Sequence, residues 1–150
     1  MSRKENEADK WQTKNFSKVV TKGVETSISY SFKIKDYKQL LHINYSFIDD
    51  DIKNVDVAYT RYSLNSIKHQ LSSTFTSKFF SFLDQSISYR LVERTDGETY
   101  NVVDAKLSTV FNKVELFFNA NNIFNTVYTE TNLVPMPKSN FMIGVSYNFE

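Results

Sequence analysis

The side chains able to do chemistry are few, and their spacing does not gather them. His42 and His69 are the only histidines. They fall in separate segments without the spacing of metal ligands, so no metal site is expected. Asp49, Asp50 and Asp51 stand in a row. Carboxylate oxygens suit calcium, but the run lacks the Asp-x-Asp-x-Asp-Gly pattern of a calcium loop. A solvated loop tip is the reading it favours. Asp104 and Lys106 are two apart and would share one face of a strand, which points to an ion pair rather than an acid/base couple. Cysteine is absent, which removes disulfides and thiolate sites. No spacing ties a serine to a histidine and an acid, and no Gly-rich phosphate loop is present. The chain therefore reads as a non-enzyme with no catalytic residue, metal or cofactor.

The elements that carry these residues are strands. Aromatics make up 15% of the 150 residues, with 13 Phe and 9 Tyr against 3 Gly and 2 Pro. Such an excess favours β structure. The net charge is +1, with no basic stripe, so no nucleic-acid partner is expected. No run approaches the ~18 apolar residues of a membrane helix. The opening MSRKENEADK is polar and lacks the apolar core of a signal peptide.

From Phe16 onward the text alternates with period 2. Val24, Ile28, Tyr30 and Phe32 share one face, and Glu25, Ser27, Ser29 and Ser31 the other. Leu41, Ile43, Tyr45 and Phe47 repeat the pattern. A turn at Asp36-Tyr37 would set Phe32 opposite Leu41, Tyr30 opposite Ile43 and Ile28 opposite Tyr45. Ile48 to Ala58 reads as a long polar loop. The next strand, from Tyr59, carries an expected phase shift near Asn65 and Ser66. A turn at Thr76–Lys78 would pair Phe75 with Phe79 and Leu71 with Leu83, but also His69 with Gln85, which matches poorly. Arg94–Thr99 is a loop with an Asp-Gly turn signal. A turn at Asn112-Lys113 pairs Phe111 with Val114, Thr109 with Leu116, Leu107 with Phe118 and Ala105 with Ala120. The loop Thr129–Lys138 holds both prolines. The closing FMIGVSYNF sets Phe141, Ile143, Val145, Tyr147 and Phe149 on one face. Gly23 and Gly144, inside strands, mark kinks or close packing. The count is seven strands, with short and long connections alternating.

Two settings fit this pattern. In a soluble sandwich or small barrel, a ligand-binding or adhesin-like module, the apolar face points inward. In an outer-membrane barrel it meets lipid. Strand length favours the membrane, since several strands exceed the ~9–11 residues that cross a bilayer at a tilt. So does the alternation of short and long turns, and so do aromatics near strand ends at Phe32, Phe75, Phe79, Phe111 and Phe149. Seven is an odd count, whereas bacterial single-chain barrels have an even one.

Several segments resemble the C-terminal barrel region of TonB-dependent outer-membrane receptors, particularly those of Bacteroidetes. They are WQTKNFSKVVTKGVE, RYSLNSIKHQL, YNVVDAKLSTVFNKVELFFNANNIFNTVY and VPMPKSNFMIGVSYNF. The most specific part is Asn-Asn-x-Phe-Asn-x-x-Tyr, at Asn121, Asn122, Phe124, Asn125 and Tyr128, followed by Pro137, Phe141, Gly144, Tyr147 and Phe149 of the closing strand. Lys138-Ser139-Asn140 departs from the more usual Gly-Arg, and the terminal aromatic is penultimate, before Glu150. The resemblance implies an all-β, antiparallel up-and-down transmembrane segment, the last part of a barrel of about 22 strands. Residues 1–10 would be a polar loop remnant and 11–150 the barrel segment. It further implies a bacterial outer-membrane location and import of a scarce nutrient: siderophore, haem, cobalamin or glycan. The implied partners are outer-membrane lipid, the rest of the barrel and its plug, TonB acting through a plug that these residues do not include, and the barrel-assembly machinery. Ligand contacts would come from extracellular loops, with Trp11, Asp49, Asp50 and Asp51 as candidates.

Overall fold

The computed structural model describes residues 2–4, 12–13, 18–53, 59–60, 67–130 and 134–149. The described residues form strands and their connections, with no helix among them. Three short strands, β1 (Ser2–Lys4), β2 (Gln12–Thr13) and β5 (Tyr59–Thr60), make a small sheet in the order β2-β1-β5. Residues 2–4 are thus strand rather than the loop expected for 1–10.

The other seven strands are β3 (Lys18–Ile34), β4 (Tyr37–Lys53), β6 (Ile67–Phe80), β7 (Leu83–Arg94), β8 (Thr99–Phe111), β9 (Val114–Asn121) and β10 (Asn140–Tyr147). They pair antiparallel in the order β10-β9-β8-β7-β6-β4-β3. This is an up-and-down sheet, and it is open, because β3 and β10 do not meet. The short turns β3–β4, β6–β7 and β8–β9 lie at one end, and the longer connections lie at the other.

The turn at Asn112-Lys113 carries the expected register: Phe111↔Val114, Thr109↔Leu116, Leu107↔Phe118 and Ala105↔Ala120. Asn112 adopts φ 53°, a left-handed conformation that asparagine tolerates. The Asp-Gly loop also forms, with Gly97 at φ 87° and the Glu98 amide donating to Asp96 Oδ1 at 2.9 Å.

Two other turns are displaced from expectation. The first hairpin turns at Lys35-Asp36, so that Tyr30 faces Leu41, Ile28 faces Ile43 and Val24 faces Phe47. The register differs by two residues and the faces still match. In the third strand, Thr76–Lys78 is not a turn, because β6 continues to Phe80 and turns at Ser81-Phe82. Phe75 then faces Ile87, Leu71 faces Leu91 and His69 faces Glu93. The awkward His69–Gln85 pairing was a symptom of the misplaced turn. Phe75 consequently lies within its strand rather than at its end. The expected phase shift at Asn65-Ser66 lies outside the described residues, although the ladder is irregular between Ile67 and His69.

The Ile48–Ala58 loop is also corrected. β4 runs on to Lys53, with Asp49, Asp50 and Asp51 opposite Lys22, Thr21 and Val20. Residues 54–58 lie outside the described residues.

Period-2 alternation gives the sheet two unlike faces. One carries Ile28, Ile43, Leu71, Ile87, Leu107, Phe118 and Ile143, and none of the described residues packs over it. Ile143 is 81% exposed and Val24 is 60% exposed. The opposite, polar face carries the small buried core: Val92, Tyr100, Val102 and Tyr128. Both in-strand glycines mark close packing. A Cβ on Gly23 would lie 2.7 Å from the Phe47 carbonyl oxygen, and one on Gly144 would enter the ring of Phe117.

Candidate functional site

The connection from β9 to β10 folds back over the polar face of β7 and β8, and the Asn-rich motif makes this reversal. Asn122 and Asn125 both take left-handed backbone angles, φ 49° and 55°. The Asn122 amide donates to Asp104 Oδ1 at 2.7 Å, and Ile123 N donates to the Val103 carbonyl at 2.9 Å. The Asn122 side chain donates to the carbonyls of Thr126 (2.8 Å) and Pro137 (3.2 Å), while its Oδ1 accepts from Thr126 N at 2.8 Å. Asn125 Oδ1 accepts from Ser139 N at 3.1 Å. The two asparagines therefore stand in for the ladder partners that the turning backbone lacks.

Beyond the reversal, Tyr128 inserts between the sheet and solvent. Its ring stacks on Tyr100 at 4.7 Å, and its phenol sits 3.5 Å from Arg90 Nη2. Burial is the leading cause that raises the Tyr128 pKa above its ordinary 10.0, partly opposed by the positive charge of Arg90. The phenol is therefore neutral at physiological pH. Arg90 Nη1 pairs with Glu130 Oε1 at 2.7 Å. Arg94, 2% exposed, donates through Nη2 to the carbonyls of Thr129 (2.7 Å) and Glu130 (3.0 Å), and its Nε is 3.8 Å from Glu98. A fork of guanidinium donors suits such backbone carbonyls. Met136 N closes the segment on the Tyr128 carbonyl at 2.9 Å. Arg90, Arg94, Tyr100 and Glu130 were not singled out in the sequence. Arg90 and Tyr100 look like any alternating strand residues, Arg94 and Glu130 like ordinary loop residues, and only the folded-back segment gives them a role.

Among the described residues the polar face of β3, β4 and β6 is open. A basin of about 280 Å³ is lined there by Glu25, Ser27, Asn44, Ser46, Gln70 and Ser72. Its groups are hydroxyls, amides and one carboxylate. They can hydrogen-bond a polar solute but supply no nucleophile–base pair.

The remaining candidates are dispersed. Trp11 lies outside the described residues. Asp49 and Asp51 project from the opposite face of β4 to Asp50, whose Oδ1 accepts from Thr21 Oγ1 at 2.6 Å. Neighbouring strand residues cannot aim three carboxylates at one ion, and no metal-holding cluster occurs among the described residues. His42 sits on the polar face with its Nδ1 2.7 Å from Ser29 Oγ. His69 sits on the apolar face with its Nδ1 2.8 Å from Tyr45 Oη. The expected Asp104–Lys106 pair is replaced: Asp104 accepts from the Asn122 amide, and Lys106 reaches Glu115 at 3.9 Å.

In the closing hairpin, Asn121 Nδ2 donates to Asn140 Oδ1 at 2.9 Å, and Phe141 stacks on Phe118 at 6.1 Å. Tyr147 meets Phe149 edge-on at 4.7 Å just beyond β10. Phe124 is exposed, and Phe149 is 90% exposed. Comparison with protein-family models, with curated proteins and with solved structures gives no match.

Proposed function

We propose that this chain is a wall segment of an outer-membrane β-barrel, the C-terminal part of a receptor of the TonB-dependent type that imports a scarce nutrient. The uncovered apolar face carries the proposal. Large side chains stand open across all seven strands, whereas among the described residues the ion pairs named above and the buried core cluster lie on the other face. Water disfavours an apolar face of that extent, and lipid accommodates it. β3, β4, β6, β7 and β8 have 12 to 17 residues, enough to cross a bilayer at a tilt. Outer-membrane lipid is then the partner of the apolar face. The rest of the barrel and its plug are partners of the edges and polar face, with TonB engaging the plug and the assembly machinery inserting the whole.

In this reading the folded-back stretches 122–130 and 134–139 narrow the extracellular end beside β7 and β8, and the basin over β3, β4 and β6 offers the open route for a siderophore, haem, cobalamin or glycan. The test is solubility. Folded strand signal is expected only in detergent or lipid, and a folded, water-soluble monomer would overturn the proposal. The receptor part is tested separately by the DNA ahead of Met1, where codons for a plug and further alternating strands are expected.

A further inference from the structure

The apolar face is interrupted by two polar side chains that stand together. The ladder sets Ser77 opposite Gln85, Gln85 opposite Leu107 and Leu107 opposite Phe118. Phe75, Ile87 and Ala105 form the neighbouring row. Directly paired residues share a face, so Ser77 and Gln85 lie on the face that carries Ile87, Leu107 and Phe118. A notch of about 200 Å³ opens between the two rows. Phe75, Ile87, Leu107 and Phe118 wall it, and the small Ala105 side chain leaves it room. Ser77 and Gln85 supply its polar lining. Ser77 is only 3% exposed, and Gln85 is half-buried. Among the described residues neither side chain has a hydrogen-bond partner.

We infer that this notch binds one acyl chain of a glycerophospholipid, whose ester carbonyl accepts hydrogen bonds from the Ser77 hydroxyl and the Gln85 amide. The inference rests on the outer-membrane reading above and adds a specific site to a surface otherwise in general contact with lipid. A hydroxyl and an amide taken out of water are costly unless they find partners. Hydrocarbon tails supply none. The ester that joins a tail to its glycerol supplies an acceptor, and Ser and Gln both carry donors. Both groups are uncharged, so they suit a neutral carbonyl rather than a headgroup phosphate.

Depth agrees with this occupant. Ser77 lies four residues before Ser81 and Gln85 three after Phe82, the two residues of the β6–β7 turn. At ~3.3 Å per residue and a tilt of ~40°, the pair sits roughly 10 Å from that turn along the bilayer normal. The polar layer on each side of a bilayer is about 5–7 Å thick. Phe80 and Phe82, 56% and 63% exposed, stand beside the turn as interfacial aromatics would. The two donors therefore fall just inside the hydrocarbon edge, where esters meet tails. Short turns face the periplasm, so the lipid belongs to the periplasmic leaflet.

The test compares two lipids that differ only at the ester. The full chain is folded in dodecyl maltoside micelles and titrated with dipalmitoyl phosphatidylethanolamine or with its dihexadecyl ether analogue. Retained lipid is counted by native mass spectrometry. One saturable ester lipid is expected, held roughly five-fold more tightly than the ether, as one or two net hydrogen bonds allow. Ser77→Ala with Gln85→Leu should bring the two lipids level. Ala105→Leu, which fills the notch, should abolish retention of both. Equal retention of ester and ether by the unaltered chain, no saturable lipid, or retention untouched by Ala105→Leu would overturn the site while leaving the membrane reading in place. A chain that does not fold in micelles removes the membrane reading, and the site with it.

Discussion

Gly144 is a position where one added carbon has a defined consequence. It faces Phe117 directly across the β9–β10 ladder, and the Phe117 ring occupies the space a Cβ would need. Lys106 Nζ lies 5.7 Å from the centre of that ring on the same face. Gly144→Ala is expected to destabilise the sheet by about 1–3 kcal/mol, as overpacking does, measured by urea unfolding in micelles. In the Phe117→Ala background the same change should cost much less, because the two positions are in contact and couple. Arg94 makes a second sharp case. Arg94→Met keeps the bulk but leaves the Thr129 and Glu130 carbonyls without their donor, a cost of roughly 1–3 kcal/mol. The loss should fall on the stretches 122–130 and 134–139, seen as faster protease cleavage there with β3–β6 protection unchanged. Of this cluster, Asn122, Asn125 and Tyr128 were legible because the motif is local. Arg90, Arg94 and Glu130 were not, because a charged residue on an alternating strand or in a polar loop carries no mark of the distant segment it will meet.

The strands themselves were legible, but their pairing was legible only in part. Period 2 reveals which face a residue joins, since a slip of one residue exchanges the faces. A slip of two or eight leaves every face intact, so alternation could not discriminate Tyr30↔Leu41 from Tyr30↔Ile43, nor Phe75↔Ile87 from Phe75↔Phe79. Turn chemistry must then decide. It did so at Asn112, where asparagine occupies the left-handed position, and misled at Asp36, because the left-handed residue is its neighbour Lys35 at φ 55°. Lysine there is strained relative to asparagine or glycine. Lys35→Asn is expected to stabilise the β3–β4 hairpin by about 1 kcal/mol, measured as a higher urea midpoint with an unchanged slope. The aspartate triplet was misjudged for a related reason. Polar residues read as loop, yet a hairpin that outruns its apolar stretch keeps its ladder bonds to Lys53.

Taken together, the seven strands separate apolar from polar groups by face rather than by depth. Under the proposed outer-membrane function, a charge on the apolar face acts on insertion. Ile143→Arg is expected to cost about 2–4 kcal/mol of folding into bilayers if the position lies near the midplane. Ser27→Arg, on the polar face, should leave insertion efficiency within experimental scatter. Both are checked by the protected fraction after refolding into vesicles. What alternation could not supply was the openness of the sheet, which depends on the direction and partners of the edges and not on any strand's own pattern. The strand order has a kinetic consequence as well. Every ladder joins strands that are consecutive in the sheet and close in the chain, so no segment must thread past another. The sheet can grow like a zipper, one strand at a time onto whichever edge is free. Because loop closure grows only slowly with length, the longer β4–β6 and β9–β10 connections delay that growth without redirecting it. Such a sheet has no single moment of collapse. Its assembly is a procession, and the last strand to arrive decides when it stops.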